Sequence, residues 1–397
     1  MNKLKTFNAI LMITGTAVGT GILGLPIVTS TAGLIPTFVA FMVAWVFMTV
    51  AALYILDIKL HVKGHFNLSS MIKLTLGRTG QYSSSIIIIL LLYALLCTYM
   101  MAGSAWLSVV LSHFVSLPGS WMTILFTLVF AVVVFCGERF IYSMNNVLAI
   151  GLILAFLTTV GLSLSPLHHE WVIHCNFSAI FPSLPLLLTT FGFSIIVPAM
   201  TEYLDYDKKS ATFAIMIGGI TALAAYAVWE WVMLSHIPYE GSLSFQSLKD
   251  MGDNGTGVIL AFATSVSRPI VRFSGQLFAI FAAVTSFLGV SLALIHFLAD
   301  SLSMKAVGWN RLVLSLITFI PPLFITRFAP SAFVPVLSFA GLFVAILLGL
   351  FPVLMVYKSK LKQDTESHGF TRKRVMIMTT GLFFALVIVQ EVVNLFA

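Results

Sequence analysis

Twelve residues inside the first apolar stretch of the chain, Gly15-Thr16-Ala17-Val18-Gly19-Thr20-Gly21-Ile22-Leu23-Gly24-Leu25-Pro26, hold four glycines and a proline. Glycine loosens a helix, and proline removes an N–H and clashes with the preceding turn. Freed N–H groups can hold an anion and freed carbonyls a cation, so this stretch can bind charge without a charged side chain. In hydrocarbon every unpaired backbone amide is costly. A broken helix persists there only where it lines a protein-enclosed cavity. The stretch therefore implies a binding site at membrane depth. A second stretch repeats the pattern: Thr189-Thr190-Phe191-Gly192-Phe193-Ser194-Ile195-Ile196-Val197-Pro198 again has a mid-span glycine with proline downstream.

The elements that position these residues are membrane helices. Of the 397 residues, 59% are hydrophobic and 9% charged, against roughly 25% charged in soluble domains. Mean hydropathy is +1.04. The expectation is an all-α polytopic membrane protein, a single transmembrane domain over 1–397. A bilayer core of about 30 Å needs about 20 apolar residues per helix. Eleven spans are expected, at 7–28, 34–56, 84–111, 121–136, 142–163, 184–200, 211–235, 271–299, 311–326, 333–356 and 375–396. Residues 243–268 form a further element, expected over the outer mouth. The opening Met1-Asn2-Lys3-Leu4-Lys5 is like that of a signal peptide, but no small-x-small cleavage site follows, so the first apolar run is read as a retained helix.

The formal charge of +7 carries no nucleic-acid-type stripe. With a cytoplasmic N-terminus, only Lys249, Arg268, Arg272 and Arg327 of the 21 Lys and Arg fall in outer segments. Such asymmetry sets topology and places the C-terminus outside. Cys97, Cys136 and Cys175 form no Cys-x-x-Cys and suggest no disulfide or metal site.

The two interrupted spans are the first and the sixth. With five spans per half they enter from opposite sides, which points to two inverted repeats, about 7–163 and 184–356, with the helix at 375–396 as an addition. Close helix packing is the alternative for such glycines, and Gly15-x-x-x-Gly19 fits a dimerisation face.

At these residues the chain resembles the hydroxy and aromatic amino acid permeases, a bacterial branch of the amino acid–polyamine–organocation superfamily. The resemblance rests on Gly15 to Gly21 running on to Leu25-Pro26, and on Phe191-Gly192-Phe193 with Val197-Pro198. It continues through Asp207-Lys208-Lys209, Tyr226-Ala227-Val228-Trp229-Glu230 and Ile237-Pro238, and more weakly at Val284-Thr285-Ser286-Phe287-Leu288-Gly289-Val290. It covers essentially the whole chain. It implies a LeuT-like 5+5 inverted-repeat fold with an additional eleventh transmembrane helix, and proton-coupled uptake of amino acids across the bacterial inner membrane. The first motif is closer to the tyrosine and tryptophan permeases than to the serine and threonine ones. One departure stands out. Members often carry His after Phe-Gly-Phe, and here that residue is Ser194, so no role for that His carries over.

An amino acid brings a carboxylate and an ammonium, and both must be met in a low-dielectric site. The N–H groups of Thr20, Gly21 and Ile22 are expected to hold the carboxylate, aided by the helix dipole. Carbonyls near Ala17, and those near Thr190 and Phe191, are expected to hold the ammonium, with Gly19 and Gly192 counted among the substrate-binding residues at the two breaks. Phe191, Phe193 and Ser194 flank the second break. In this fold the third span faces the site, which brings in Tyr93, Tyr99, Met100 and Met101. An aromatic and methionine-rich wall suits an aromatic L-amino acid, although each of these residues is also ordinary in a membrane helix.

For coupling, Glu230 is an intramembrane carboxylate and a candidate proton carrier; its place near the outer end also allows a solvated or helix-pinning role. Thr285 and Ser286 can contribute oxygens to a sodium cage, or bond back to their own helix. Asn145, Asn146, His296 and Glu391 lie near span ends. No cofactor is expected beyond the coupling ion, a proton by resemblance or sodium as the alternative. The oligomeric state stays open.

Two signals are set aside. Gly19-Thr-Gly-Ile-Leu-Gly24 matches a dinucleotide fingerprint but lacks the preceding strand. His168, His169, Glu170 and His174 lack the spacing of a zinc protease site. An intramembrane enzyme would need a convergent polar constellation and a channel would need rings of charge or filter loops. The sequence offers neither, so a carrier and not an enzyme is expected.

Overall fold

A computed structural model describes residues 3–19, 21–62, 64, 67–111, 118–165, 174–251, 256–329, 332–361 and 370–396. Among them all regular structure is helical. Helix α1 (Lys3–Ala17) stops in the glycine-rich stretch, and α2 (Gly21–Thr29) restarts at 54° to it. Next come α3 (Leu34–Val62), a short α4 (Leu68–Leu76), α5 (Arg78–Leu111), α6 (Gly119–Phe135) and α7 (Glu138–Ser163).

The second interrupted span is a composite. A 3-10 segment (Phe177–Ser183) leads into α8 (Leu184–Thr190), a second 3-10 segment (Gly192–Ile196) and α9 (Val197–Tyr203). Long α10 (Lys208–His236) follows, then short α11 (Phe245–Asp250) and α12 (Thr256–Ser265). After these come α13 (Pro269–Ser301), α14 (Gly308–Phe328) and α15 (Phe333–Val344). A π-helical turn (Ala345–Leu350) joins α15 to α16 (Phe351–Leu361), and α17 (Phe370–Phe396) ends the chain.

Among the described residues nine helices are long and apolar enough to cross a bilayer, and the bent α1–α2 pair makes a tenth. α6, at the fourth expected span, is apolar but short. The expected ninth span, 311–326, is the full-length α14. The segment expected at 243–268 forms α11 and α12, which both pack on α2. The amphipathic α4 was missed by span counting because its nine residues are too short to cross.

Lipid-facing surface is visible on α7, where Val147, Ile150, Leu154 and Leu157 recur at helical spacing and are all more than half exposed. Such a stripe would be a liability in water and is the ordinary outer surface in a membrane. Inside, small residues let helices close up. α1 lies along α10 where a Cβ on Gly218 would be 2.6 Å from the Ile13 Cβ. α15 meets α8 where a Cβ on Gly341 would be 2.1 Å from the Pro185 carbonyl oxygen. α17 docks on the body through Phe383, whose ring stacks on Phe47 at 3.9 Å.

Ion pairs tie α1 and α3 to the turn between α9 and α10. Lys5 pairs with Asp205 at 2.5 Å and Lys208 with Asp57 at 2.8 Å. Lys59, fully buried, pairs with Glu202 and also donates to the Gly64 carbonyl at 2.6 Å. Asp205 and Tyr206 take left-handed φ angles of 53° and 58°, and the Tyr206 hydroxyl accepts the Gly64 N–H at 3.0 Å. Asp207 caps α10 by accepting the Lys209 N–H and the Ser210 hydroxyl. These bonds hold its carboxyl below the usual carboxylate range, the Ser210 hydroxyl foremost.

Candidate functional site

The two interruptions meet. Ala17 is the last residue of α1 and Thr190 the last of α8, so both carbonyls lie in the final turn, where intrahelical donors run out. The hydroxyl oxygen of Tyr226, on α10, lies 2.6 Å from the Ala17 carbonyl and 2.8 Å from the Thr190 carbonyl. Tyr226 is fully buried, and Phe191 stands edge-on to its ring with centroids 5.0 Å apart. Gly21, which opens α2, sits against Thr190: a Cβ there would be 2.8 Å from the Thr190 Cγ2. The Thr190 hydroxyl turns back to the Leu187 carbonyl at 2.8 Å.

A second contact links the first break to α13. A Cβ on Gly19 would lie 3.1 Å from the Ser286 hydroxyl oxygen. The Tyr99 side chain, on α5, comes close to Ser286. Gly192 faces the π-helical turn, where a Cβ would meet Leu348 at 3.8 Å. A π turn beside a helix break marks backbone whose regular ladder is already relaxed. Phe191, Phe193 and Ser194 are fully buried. The Ser194 hydroxyl has no hydrogen-bond partner among the described residues.

Not every expected residue joins this cluster. Thr20 lies outside the described residues, as do His168, His169 and Glu170. The Ile22 N–H donates to the Gly19 carbonyl at 3.2 Å and so is not free for a carboxylate in this structure, because the chain tightens into a turn between α1 and α2. Tyr93 points away and donates to the Ile317 carbonyl on α14 at 2.8 Å. The Thr285 hydroxyl donates to the Phe281 carbonyl of its own helix at 2.7 Å, which leaves its oxygen lone pairs unused by that bond. His174 is bonded to the Thr31 carbonyl at 2.9 Å and its ring lies 5.0 Å from that of Tyr239.

Glu230 is fully buried rather than solvated. Its Oε1 lies 2.7 Å from the Thr29 hydroxyl oxygen, which also lies 2.7 Å from the Leu25 carbonyl. The second carboxyl oxygen has no partner among the described residues. Thr29 has one proton for two neighbours. Both contacts are satisfied when Glu230 carries a proton and donates it to Thr29, while Thr29 donates to Leu25. This pair joins α10 to α2, the half-helix that begins at Gly21.

Tyr226 stands in a stretch that carries the resemblance but was given no role from the sequence, and Thr29 was not singled out. The available signal was spacing: Tyr226 and Glu230 are four apart in an otherwise apolar helix, and so share one face. That face meets the first interrupted span at both of its halves. A separate cavity of about 250 Å³ lies between α6 and α14, lined by residues including Thr123, Ile320, Leu323, Phe324 and Arg327, none of them from either break.

Two discontinuous helices meeting inside a multi-pass helical body define the class of a transporter fold. The fold is similar over 98% of the chain to that of a nucleobase-cation-symport-1 family transporter in a closed conformation with bromovinylhydantoin bound, with a TM-score of 0.61, 14% identity and 90% of that chain covered. The chain belongs to the tryptophan/tyrosine permease family, whose model matches residues 2–396. It is 28% identical to the tyrosine-specific transport system 1 of Haemophilus influenzae, over 90% of this chain and 88% of that protein. It is 28% identical to the tryptophan-specific transport protein of the same organism, over 96% and 94%.

Proposed function

We propose that this permease imports an aromatic L-amino acid, tyrosine or tryptophan, across the bacterial inner membrane by proton symport with alternating access. The observation that carries this reading is the meeting of the two breaks at Gly21, Thr190 and Tyr226, with an aromatic residue, Phe191, against them. The start of α2 at Gly21 offers N–H groups and a positive dipole end to a carboxylate. The Ala17 and Thr190 carbonyls offer acceptors to the ammonium. Phe191, Phe193 and Tyr99 form the wall for the ring, and Gly19, Gly192 and Ser194 leave it room.

The same reading takes the architecture as a LeuT-like 5+5 fold with repeats about 7–163 and 184–356 and helix 375–396 added, N-terminus cytoplasmic and C-terminus periplasmic. Glu230 carries the coupling proton. It has one hydroxyl partner, Thr29, and moving α2 relative to α10 would change that partner. Sodium coupling through Thr285 and Ser286 is the alternative. Ser286 faces Gly19 at the first break, but the Thr285 hydroxyl is turned into its own helix.

The test is uptake of labelled tyrosine into proteoliposomes in sodium-free buffer, with tryptophan, phenylalanine and serine as competitors. Proton-driven uptake blocked by the aromatics supports the reading. Uptake only with added sodium overturns the coupling assignment, and competition by serine alone overturns the substrate class.

A further inference from the structure

We infer that Tyr226 is a direct ligand of the substrate's ammonium group, the third oxygen of a seat whose other two oxygens are the Ala17 and Thr190 carbonyls. This rests on the amino acid reading of the site and adds to it a side chain from a helix that belongs to neither break.

The inference comes from counting protons. The Tyr226 hydroxyl has one, and it faces two carbonyl oxygens at 2.6 and 2.8 Å. Both are hydrogen-bond distances, so at any moment one of the two close oxygen–oxygen contacts holds no proton. The Ala17 carbonyl already accepts the Gly19 N–H at 2.9 Å, and the Thr190 hydroxyl is committed to Leu187. Three oxygens thus converge with one hydroxyl proton and one backbone N–H between them, around a fully buried side chain. The chemical complement of such a cluster is a small cation with several donors. A primary ammonium supplies three N–H groups and a positive charge, one for each oxygen, through charge-assisted bonds.

The neighbours select an α-amino acid over a plain amine or a metal ion. Gly21 packs directly on Thr190, so the start of α2 lies beside the oxygen cluster. An anion site and a cation site in adjacent residues match a zwitterion whose two charges are held on one carbon. The edge-on contact of Phe191 with the Tyr226 ring adds an apolar wall at the same point. The competing explanation is that Tyr226 only ties the two breaks together. That role predicts equal damage to every ligand of the site, with or without an amine.

The test is Tyr226→Phe in the full chain, reconstituted in proteoliposomes. Phenylalanine keeps the ring that packs on Phe191 and Phe41 and removes the oxygen. Two quantities are read in wild type and variant: KM for labelled L-tyrosine, and the inhibition constant of 3-(4-hydroxyphenyl)propionate, which has the carboxylate and ring but no amine. The expected result is a roughly ten- to hundred-fold rise in KM, the worth of one hydrogen bond to a charged group, with the inhibition constant of the deaminated acid within about twofold of wild type. An unchanged KM, or equal losses for both ligands, overturns the proposal. Tyr226→His keeps a polar ring and provides the second reading if the phenylalanine variant does not fold: it should recover tyrosine affinity relative to Tyr226→Leu, and failure to do so also overturns it. If the wild type ignores aromatic amino acids but carries another amino acid, the aromatic reading fails, and the same variants measured with that substrate decide the seat. A wild type that carries no amino acid overturns both.

Discussion

Replacing Glu230 with glutamine separates transport from coupling. In the structure Glu230 lies in α10 with one oxygen 2.7 Å from the Thr29 hydroxyl, which has its own acceptor at Leu25. A glutamine amide N–H can donate to Thr29 as the protonated acid does, at equal volume, so the link between α10 and α2 should survive with a loss of no more than about 1 kcal/mol. What glutamine cannot do is release a proton. With one proton moved per substrate and the membrane potential clamped at zero, each pH unit of gradient supplies about 1.4 kcal/mol and supports roughly tenfold accumulation. At a gradient of two units the wild type should concentrate tyrosine about a hundredfold. Glu230→Gln should equilibrate it and go no further, yet still exchange internal for external labelled tyrosine at a rate near that of wild type. The assay is paired accumulation and counterflow in the same proteoliposomes. Gradient-driven accumulation by the variant refutes the assignment of the proton to Glu230. Loss of exchange together with accumulation refutes the claim that its role is coupling rather than structure.

Other expectations follow from particular contacts. Gly21→Leu should abolish uptake without preventing insertion, because even its Cβ would lie 2.8 Å from Thr190 at the carboxylate's seat; uptake with membrane-fraction immunoblotting checks both halves. Lys59→Met should lower stability by about 2–4 kcal/mol, since it removes a fully buried ammonium that pairs with Glu202 and donates to the Gly64 carbonyl, whereas Lys208→Met, in an exposed pair, should change it by under about 1 kcal/mol; thermal unfolding of the purified protein in detergent compares them. Gly341→Ala should impair folding, because its methyl would fall 2.1 Å from the Pro185 carbonyl oxygen, a backbone atom that cannot move alone; the yield of monodisperse protein is the readout.

The sequence made the interrupted helices visible because glycine and proline act locally: the breaks at Ala17–Gly21 and at Phe191 fall where those residues stand. Long apolar runs likewise marked most spans. Side-chain direction was another matter. Tyr93 and Tyr99 sit on one helix, and only the placement of α13 and α14 decides that Tyr99 reaches Ser286 while Tyr93 reaches Ile317. Thr285 and Ser286 are adjacent in sequence, but successive residues of a helix face different ways: Ser286 comes up against Gly19, while the Thr285 hydroxyl bonds to its own helix. Tyr226 was hidden for a further reason. Its partners are backbone carbonyls far away in the chain, and a carbonyl leaves no mark in a sequence. The short α4 was hidden because nine residues carry too little periodicity to stand out from a loop.

The most direct test of the central claim, that the two breaks form one amino acid site, is an experimental structure of the protein with L-tyrosine bound. The account expects the carboxylate within hydrogen-bond distance of the Gly21 N–H, and the ammonium at the Ala17 and Thr190 carbonyls and the Tyr226 hydroxyl, with the ring along Phe191. Tyrosine bound instead in the cavity between α6 and α14, its carboxylate on Arg327, would contradict it.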